Sequence, residues 1–261
     1  MDTKFWGPGA WKLLHMATFK YEPTKQKEDM LTFLYLLPFV LPCKFCRKSL
    51  TEYYVADPPT AALATQSQLS RWMWRIHNRV NDKLRSQGHT RAANPSYKDV
   101  EEMYKKYLAE GCSETVFPGW ELLFSILDNH PFSKEGRSTK PFKYNEDEID
   151  FKNDIERNRY NLLTPDERVN YIINFFKILP NILPYREWQE SWIRVATKSE
   201  DIGKGRRKAL VWLWRVRSAL EKEFELKNKD TFLGVCSTVA AHRSSCSKSA
   251  RARTCRKKRI S

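Results

Sequence analysis

DMLTFLYLLPFVLPCKFCRKSLTEYY, residues 29–54, decides how the rest of the chain is read. An apolar run of helical periodicity breaks at Pro42 and delivers Cys43 and Cys46 into the next turn. Pro42 suits the first position of a new helix, where its missing N–H would have no partner in any case, so Cys43 is expected close to a helix N-terminus. The positive end of that helix dipole favours thiolate, and Lys44, Arg47 and Lys48 add cationic neighbours. At i, i+3 spacing the two sulfurs share a helix face and are placed to close a disulfide. A pair of buried core thiols, or half of a zinc site, fits the same residues, and CxxC alone does not choose between them.

The composition sets the class. Leu, Phe, Trp and Tyr are plentiful, glycine is scarce at 9 of 261 residues, and alternating β-branched runs are almost absent, so the fold is expected to be all-α. The length suits two ordinary domains. Of the net charge of +15, eight units lie in residues 242–261, which hold no acidic side chain, leaving +7 for the rest. Six cysteines in a chain of this length do not make a small secreted disulfide scaffold. The N-terminus lacks the charged-then-apolar pattern of a secretory signal, and the apolar run 31–42 is too short, and too interrupted by prolines, to span a bilayer. The expectation is a soluble intracellular protein without a membrane segment.

Working outward from the dithiol, Trp6-Gly-Pro-Gly reads as a turn before a helix carrying Trp11, Leu14, His15, Thr18 and Phe19 on one side. Trp11 and His15 stand one turn apart, which suits either core packing or a ligand site. Residues 67–85 keep Leu69, Trp72, Met73, Ile76, Val80 and Leu84 at helical spacing, with His77, Asn81 and Lys83 on or beside the same stripe. Polar groups there need partners. A bound polar ligand would supply them, with Lys83 and Arg85 suited to a phosphate, and a solvated rim including Asn78 and Lys83 is the other reading. After a polar loop at 86–96, a short helix aligns Tyr97, Val100, Tyr104 and Leu108.

Taken in order, WGPGAWKLLH, LPCKFC and HNRVNDKL make the first ~110 residues resemble the FAD-linked sulfhydryl oxidases of the Erv/ALR family. The compact form, opening on WGP, is most similar to oxidases encoded by large DNA viruses. The resemblance implies a four-helix bundle holding FAD at its mouth, with a fifth short helix closing the site. It implies that Cys46 is the flavin-proximal sulfur and that Cys43 meets the incoming thiol. Trp11, His15, His77, Asn78, Asn81 and Lys83 fall on flavin-binding positions, with Trp72, Tyr97 and Tyr104 as supporting aromatics. Trp74 stands where many cellular members place the first cysteine of a structural disulfide, so that bond is not expected here. The implied activity passes electrons from protein dithiol substrates through Cys43–Cys46 and the flavin to dioxygen, giving hydrogen peroxide.

The chain also repeats itself. NFFKILPNILPYREW, residues 174–188, mirrors TFLYLLPFVLPCKFC, residues 32–46, with both prolines kept and the cysteines replaced by Tyr185 and Trp188. Trp120–Phe124 echoes Trp11–His15, and WLWRVRSALEK at 212–222 echoes WMWRIHNRVNDK at 72–83. The expected organisation is a catalytic domain over 1–112, a degenerate helical copy over 113–228 with a charged insertion or surface loop near 133–165, and a basic flexible tail over 229–261. The copy suggests an intrachain pseudo-dimer or a substrate-binding domain, and a homodimer of two-domain chains is also compatible. In the tail, Cys236, Cys246 and Cys255 suit a thiol shuttle or, with His242, zinc ligation, although their spacing matches no usual finger. The basic cluster suits nucleic acid. The expected setting is the host cytoplasm at viral assembly sites and the virion. The rival from another class is a non-enzymatic helical scaffold or nucleic-acid binder with a structural CxxC.

Overall fold

The computed structural model describes residues 2–133 and 142–243, and every regular element among them is helical. In the first half these are α1 (Thr3–Phe19), α2 (Pro23–Val40), α3 (Lys44–Ala56), a 3-10 segment at 59–64, α4 (Gln66–Ser86) and α5 (Tyr97–Ala109). Local chemistry sets their starts. Asp2 and Thr65 accept first-turn amides, Pro23 opens α2 where no N–H is needed, and Ser96 with Asp99 forms a reciprocal capping box. α1 packs on α4 and α2 on α3, while α5 closes against α1 and α4. Leu13, Leu34, Leu36, Leu69 and Trp72 are fully buried between them.

The second half runs through α6 (Trp120–Asp128), α7 (Phe151–Arg159), α8 (Pro165–Ile178) with a 3-10 extension at 179–182, α9 (Arg186–Val195), a 3-10 segment at 199–204, α10 (Arg206–Glu223) and α11 (Phe232–Ala241). Apart from α7 and two short 3-10 turns at 131–133 and 146–148, this is the order of the first half again. Matching hydrogen bonds recur at matching places. Trp72 donates its indole N–H to the Asp57 carbonyl at 3.0 Å, and Trp212 donates to the Thr197 carbonyl at 3.0 Å. The Tyr21 hydroxyl holds the Leu63 carbonyl at 2.9 Å, as His130 Nε2 holds that of Ile202 at 2.8 Å.

The two halves meet along α1 with α6 and α2 with α8. At the seam, residues touch at their own counterparts in the repeat or one position from them. Phe33 stacks on Phe175 at 5.3 Å between centroids. Gly9 lies against Gly119, so close that a Cβ on Gly9 would come within 3.3 Å of the Gly119 amide nitrogen. Contact between equivalent residues is what a two-fold relation produces.

Three local expectations change. Trp6-Gly-Pro-Gly is not a turn: α1 already runs from Thr3, and Gly9 serves the close approach of α6 rather than a reversal. The charged stretch 133–165 is more than a loop. Within it α7 packs on α3 and buries Asp154 and Asn158, with Asp154 accepting from the Tyr171 hydroxyl at 2.8 Å. The tail does not begin at 229, because α11 buries Val235 and Val239 and packs on α6. His242 stacks on Phe5 at 4.4 Å, and Arg243 pairs with the buried Asp128. Cys246, Cys255 and the basic cluster after 243 lie outside the described residues.

Candidate active site beside the CxxC turn

Cys43 is the residue that caps α3, with extended backbone (φ −111°, ψ 118°), and its carbonyl accepts the amides of Cys46 and Arg47 at 3.0 Å each. Pro42 therefore sits just outside the helix instead of opening it. The dithiol remains at the positive end of the helix dipole, with Cys43 buried and Cys46 half-buried. Of the flanking cations, Lys44 and Lys48 are exposed and Arg47 is 8% exposed. Arg47 donates from Nη1 to the Leu41 carbonyl at 2.8 Å and from Nη2 to Asn161 Oδ1 at 2.9 Å. Burial, and then the neighbouring Arg168, push the Arg47 guanidinium down to about 10, while the thiol groups of Cys43 and Cys46 oppose that shift.

A cavity of about 550 Å³ opens between α1, α3 and α4. This is within the usual size for a cofactor pocket, which lies at roughly 300–1,000 Å³. Cys46 and Ser49 of α3 lie on its wall, and Cys43 does not. Leu37, Leu41, Leu50, Met73, Ile76, Val80 and Leu84 make it largely apolar. Its polar groups include His77, Asn81 and Lys83 from α4, with Lys83 Nζ bonded to the Ser49 hydroxyl. Two buried donors or acceptors on the wall, Trp6 Nε1 and His89 Nε2, have no protein partner. Such groups are costly to leave unpaired, so a polar ligand fits the site.

Behind the wall, His15 Nε2 and His77 Nδ1 lie 3.0 Å apart. Burial, and secondarily the charge of His77, depresses His15 to about 3, and burial depresses His77 to about 4. Both rings are neutral at pH 7, sharing one proton between the facing nitrogens. Trp11 stacks on His77 at 3.9 Å and 9°, and Tyr104 stacks on His15 at 4.7 Å. The residues singled out in the sequence thus divide into two groups. Trp11, Cys46, His77, Asn81, Lys83 and Tyr104 line the cavity. His15, Trp72, Asn78 and Tyr97 do not: Trp72 is fully buried on the Asp57 carbonyl, and Tyr97 bonds the Ser70 hydroxyl at 2.8 Å. Arg85 is held by Asp82, Asn94 and the Ala92 carbonyl. Trp6, Tyr53 and His89 are cavity residues that the sequence reading did not single out. For Trp6 the signal was its place four residues before Ala10 on the α1 face, obscured by the apparent turn.

At the corresponding place in the second half, bulkier buried side chains take the positions of His77 and Cys46. Arg217, at the position of His77, is 3% exposed and pairs with Glu221 at 2.6 Å and Asp230 at 2.8 Å. Its guanidinium lies 5.4–5.9 Å from the rings of Trp120, Phe124 and Trp214. Trp188, at the position of Cys46, is fully buried and donates to the Cys112 carbonyl at 2.8 Å.

The arrangement is that of a helical bundle in which one cysteine of a CxxC pair, Cys46, opens onto a cofactor-sized cavity. Residues 8–105 match the Erv1 / Alr family. Over 87 residues the chain is 36% identical to the mitochondrial FAD-linked sulfhydryl oxidase ERV1 of Saccharomyces cerevisiae, covering 32% of this chain and 45% of the yeast protein. It is 35% identical over 81 residues to the FAD-linked sulfhydryl oxidase ERV1 of Oryza sativa subsp. japonica, covering 30% of this chain and 41% of the rice protein, and 31% identical over 81 residues to that of Arabidopsis thaliana, again 30% and 41%. The chain thus spans less than half the length of these relatives. No solved structure matches it significantly. Among the described residues no helix is long and apolar enough to cross a membrane.

Proposed function

We propose that this protein is an FAD-dependent sulfhydryl oxidase that forms disulfides in protein substrates, with Cys43 and Cys46 as its redox-active pair. The observation that carries the reading is that Cys46, and not Cys43, lies on the wall of the cavity. A substrate thiolate attacks Cys43 of the Cys43–Cys46 disulfide, forming a mixed disulfide and releasing Cys46 as thiolate. The second substrate thiol then displaces Cys43, so the substrate leaves oxidised and the enzyme dithiol carries two electrons. FAD, when bound, would supply the two-electron acceptor between this dithiol and dioxygen, whose two-electron reduction gives hydrogen peroxide. Trp11, His77, Asn81, Lys83 and Tyr104 hold it at the cavity, while His15, Asn78, Trp72 and Tyr97 support that wall from behind. The neutral His15–His77 pair offers hydrogen bonds without adding charge, and Lys83 gives a diphosphate its cation. Cys46→Ser should keep bound flavin and lose thiol-dependent oxygen consumption. Turnover near the unmutated rate would remove Cys46 from this role.

The second half is read as a pseudo-oxidase domain occupying the place of a dimer partner, which makes the chain an intrachain pseudo-dimer. The contacts of Phe33 with Phe175 and Gly9 with Gly119 support this, as does the Arg217 cluster in place of a cofactor site. The boundaries proposed are 1–112 and 113–243. The proposed setting is disulfide formation in virion proteins within host cytoplasm, on the likeness of WGPGAWKLLH and LPCKFC to viral members. The basic residues after 243 are read as a nucleic-acid contact or, with Cys236, Cys246 and Cys255, as a thiol shuttle.

A further inference from the structure

Three asparagines of the second half reach into the dithiol turn. Pro42 has no N–H to give the Pro38 carbonyl, its partner four residues back in a helical ladder, and Asn158 Nδ2 supplies the missing donor at 2.8 Å. Asn129 Nδ2 donates to the Pro42 carbonyl at 3.2 Å. Asn161 Oδ1 accepts from Arg47 Nη2 at 2.9 Å and from Arg168 Nη2 at 3.0 Å, so one side chain gathers two cations. Asn161 sits at the tip following α7 with φ of 61°, a left-handed conformation that asparagine tolerates better than most residues.

Among the described residues the Arg47 guanidinium is hydrogen-bonded to the Leu41 carbonyl and Asn161, and its buried Nε has no hydrogen-bond partner. Holding Arg47 and Arg168 on one acceptor is unfavourable unless negative charge sits nearby. Among the described residues no carboxylate forms an ion pair with Arg47. Glu167 takes the fork of Arg157 at 2.7 and 2.9 Å, and Glu52 pairs with Arg159. Lys44 and Lys48 are exposed cations on α3, and Tyr53 stays protonated because burial raises it. Glu167 supplies that charge to Arg168, whereas the anionic groups acting on Arg47 are the thiols of Cys43 and Cys46, beside which its bonds to the Leu41 and Cys43 carbonyls hold it.

We propose that Asn161 is a positioning residue: from the second half it holds Arg47 and Arg168 beside the dithiol, favouring the thiolate, so the pseudo-oxidase half tunes the reaction as well as covering the bundle. This rests on the oxidase reading above. The test is the pH dependence of alkylation by iodoacetamide, with the full chain reduced by a phosphine under nitrogen and the peptide carrying Cys43 and Cys46 followed by mass spectrometry. Asn161→Gly removes the side chain from an exposed site while permitting the positive φ. Its alkylation midpoint should rise by at least about 0.5 unit, a fraction of the roughly 1–3 units that an opposite charge within ~4–6 Å supplies. Arg47→Met should raise it further, and adding Asn161→Gly to Arg47→Met should then shift nothing more. An unchanged midpoint in Asn161→Gly with unaltered helicity and flavin content would overturn the proposal. So would a shift that persists at full size on the Arg47→Met background. If Arg47→Met does not fold, Arg168→Met takes its place in the cycle, with the same two outcomes. Alkylation needs neither flavin nor oxygen, so a chain that binds no flavin would sink the oxidase reading and leave this result standing.

Discussion

Acidifying the protein from pH 7 to pH 5.5 should destabilise it through two histidines, and the size of the effect follows from their burial. His15 is depressed to about 3 and His77 to about 4, whereas an unfolded histidine titrates at about 6.5. The folded values lie below the unfolded one, so the unfolded chain takes up protons first. Stability is therefore complete above pH 6.5 and falls as pH drops from there towards 4. Over the stated interval each unfolded imidazole gains most of a proton while its folded counterpart gains almost none, a cost of about 1 kcal/mol per residue. The pair together should lower the melting temperature by roughly 4–8 °C, at about 2–4 °C per kcal/mol for a chain of this size class. Glu167 is held at about 2 and Glu223 below its ordinary range by their arginine partners, so neither titrates in this window, while Glu221 is raised by burial and acts on both proteins alike. Melting followed by circular dichroism at both pH values, on the unmutated protein and on His15→Gln/His77→Gln, isolates the contribution. The double variant should lose most of the difference. An equal drop in both proteins would refute the claim that the two rings are held neutral by burial.

Removing Arg217 by Arg217→Met should cost about 3–5 kcal/mol in urea unfolding, because Glu221 is left partly buried without its cation; a change below 1 kcal/mol would show that the cluster is not structural. Asn158→Leu should cost about 1–3 kcal/mol by orphaning the buried Pro38 carbonyl, read from the same experiment. Truncation after Arg243 should leave oxidation of small dithiols intact and slow that of protein substrates if the distal cysteines relay electrons. Truncation after Lys229 should also lower the melting temperature, since it deletes α11 with Val235, Val239 and the Arg243–Asp128 pair.

What the sequence disclosed was whatever is local. The two prolines and the CxxC of 29–54 mark a helix end, a turn and a new helix within a few residues, and the apolar stripe of 67–85 fixes which face of α4 turns inward. The same locality explains the repeat, in which Tyr185 and Trp188 stand in register with the cysteines. The pairing of His15 with His77 spans 62 residues and needs the bundle to close before either ring has a partner. α7 was hidden by its charges: Asp154 and Asn158 are buried, but their partners Tyr171 and the Pro38 carbonyl lie on other helices. α11 was hidden because its small residues carry little helical signal and the basic stretch behind it colours the whole window. The His77 counterpart, Arg217, lies against Phe124, which stands at the place of His15. That Arg217 would fold inward on Glu221 and Asp230 depended on a residue from the connection before α11.

The most direct measurement is the visible spectrum of the purified chain, quantified for flavin and then repeated after anaerobic addition of a small dithiol. The account predicts one FAD per chain, bleached by dithiol in the unmutated protein and resistant to it in Cys46→Ser. A colourless protein, a ratio near two, or bleaching that does not depend on Cys46 would contradict it.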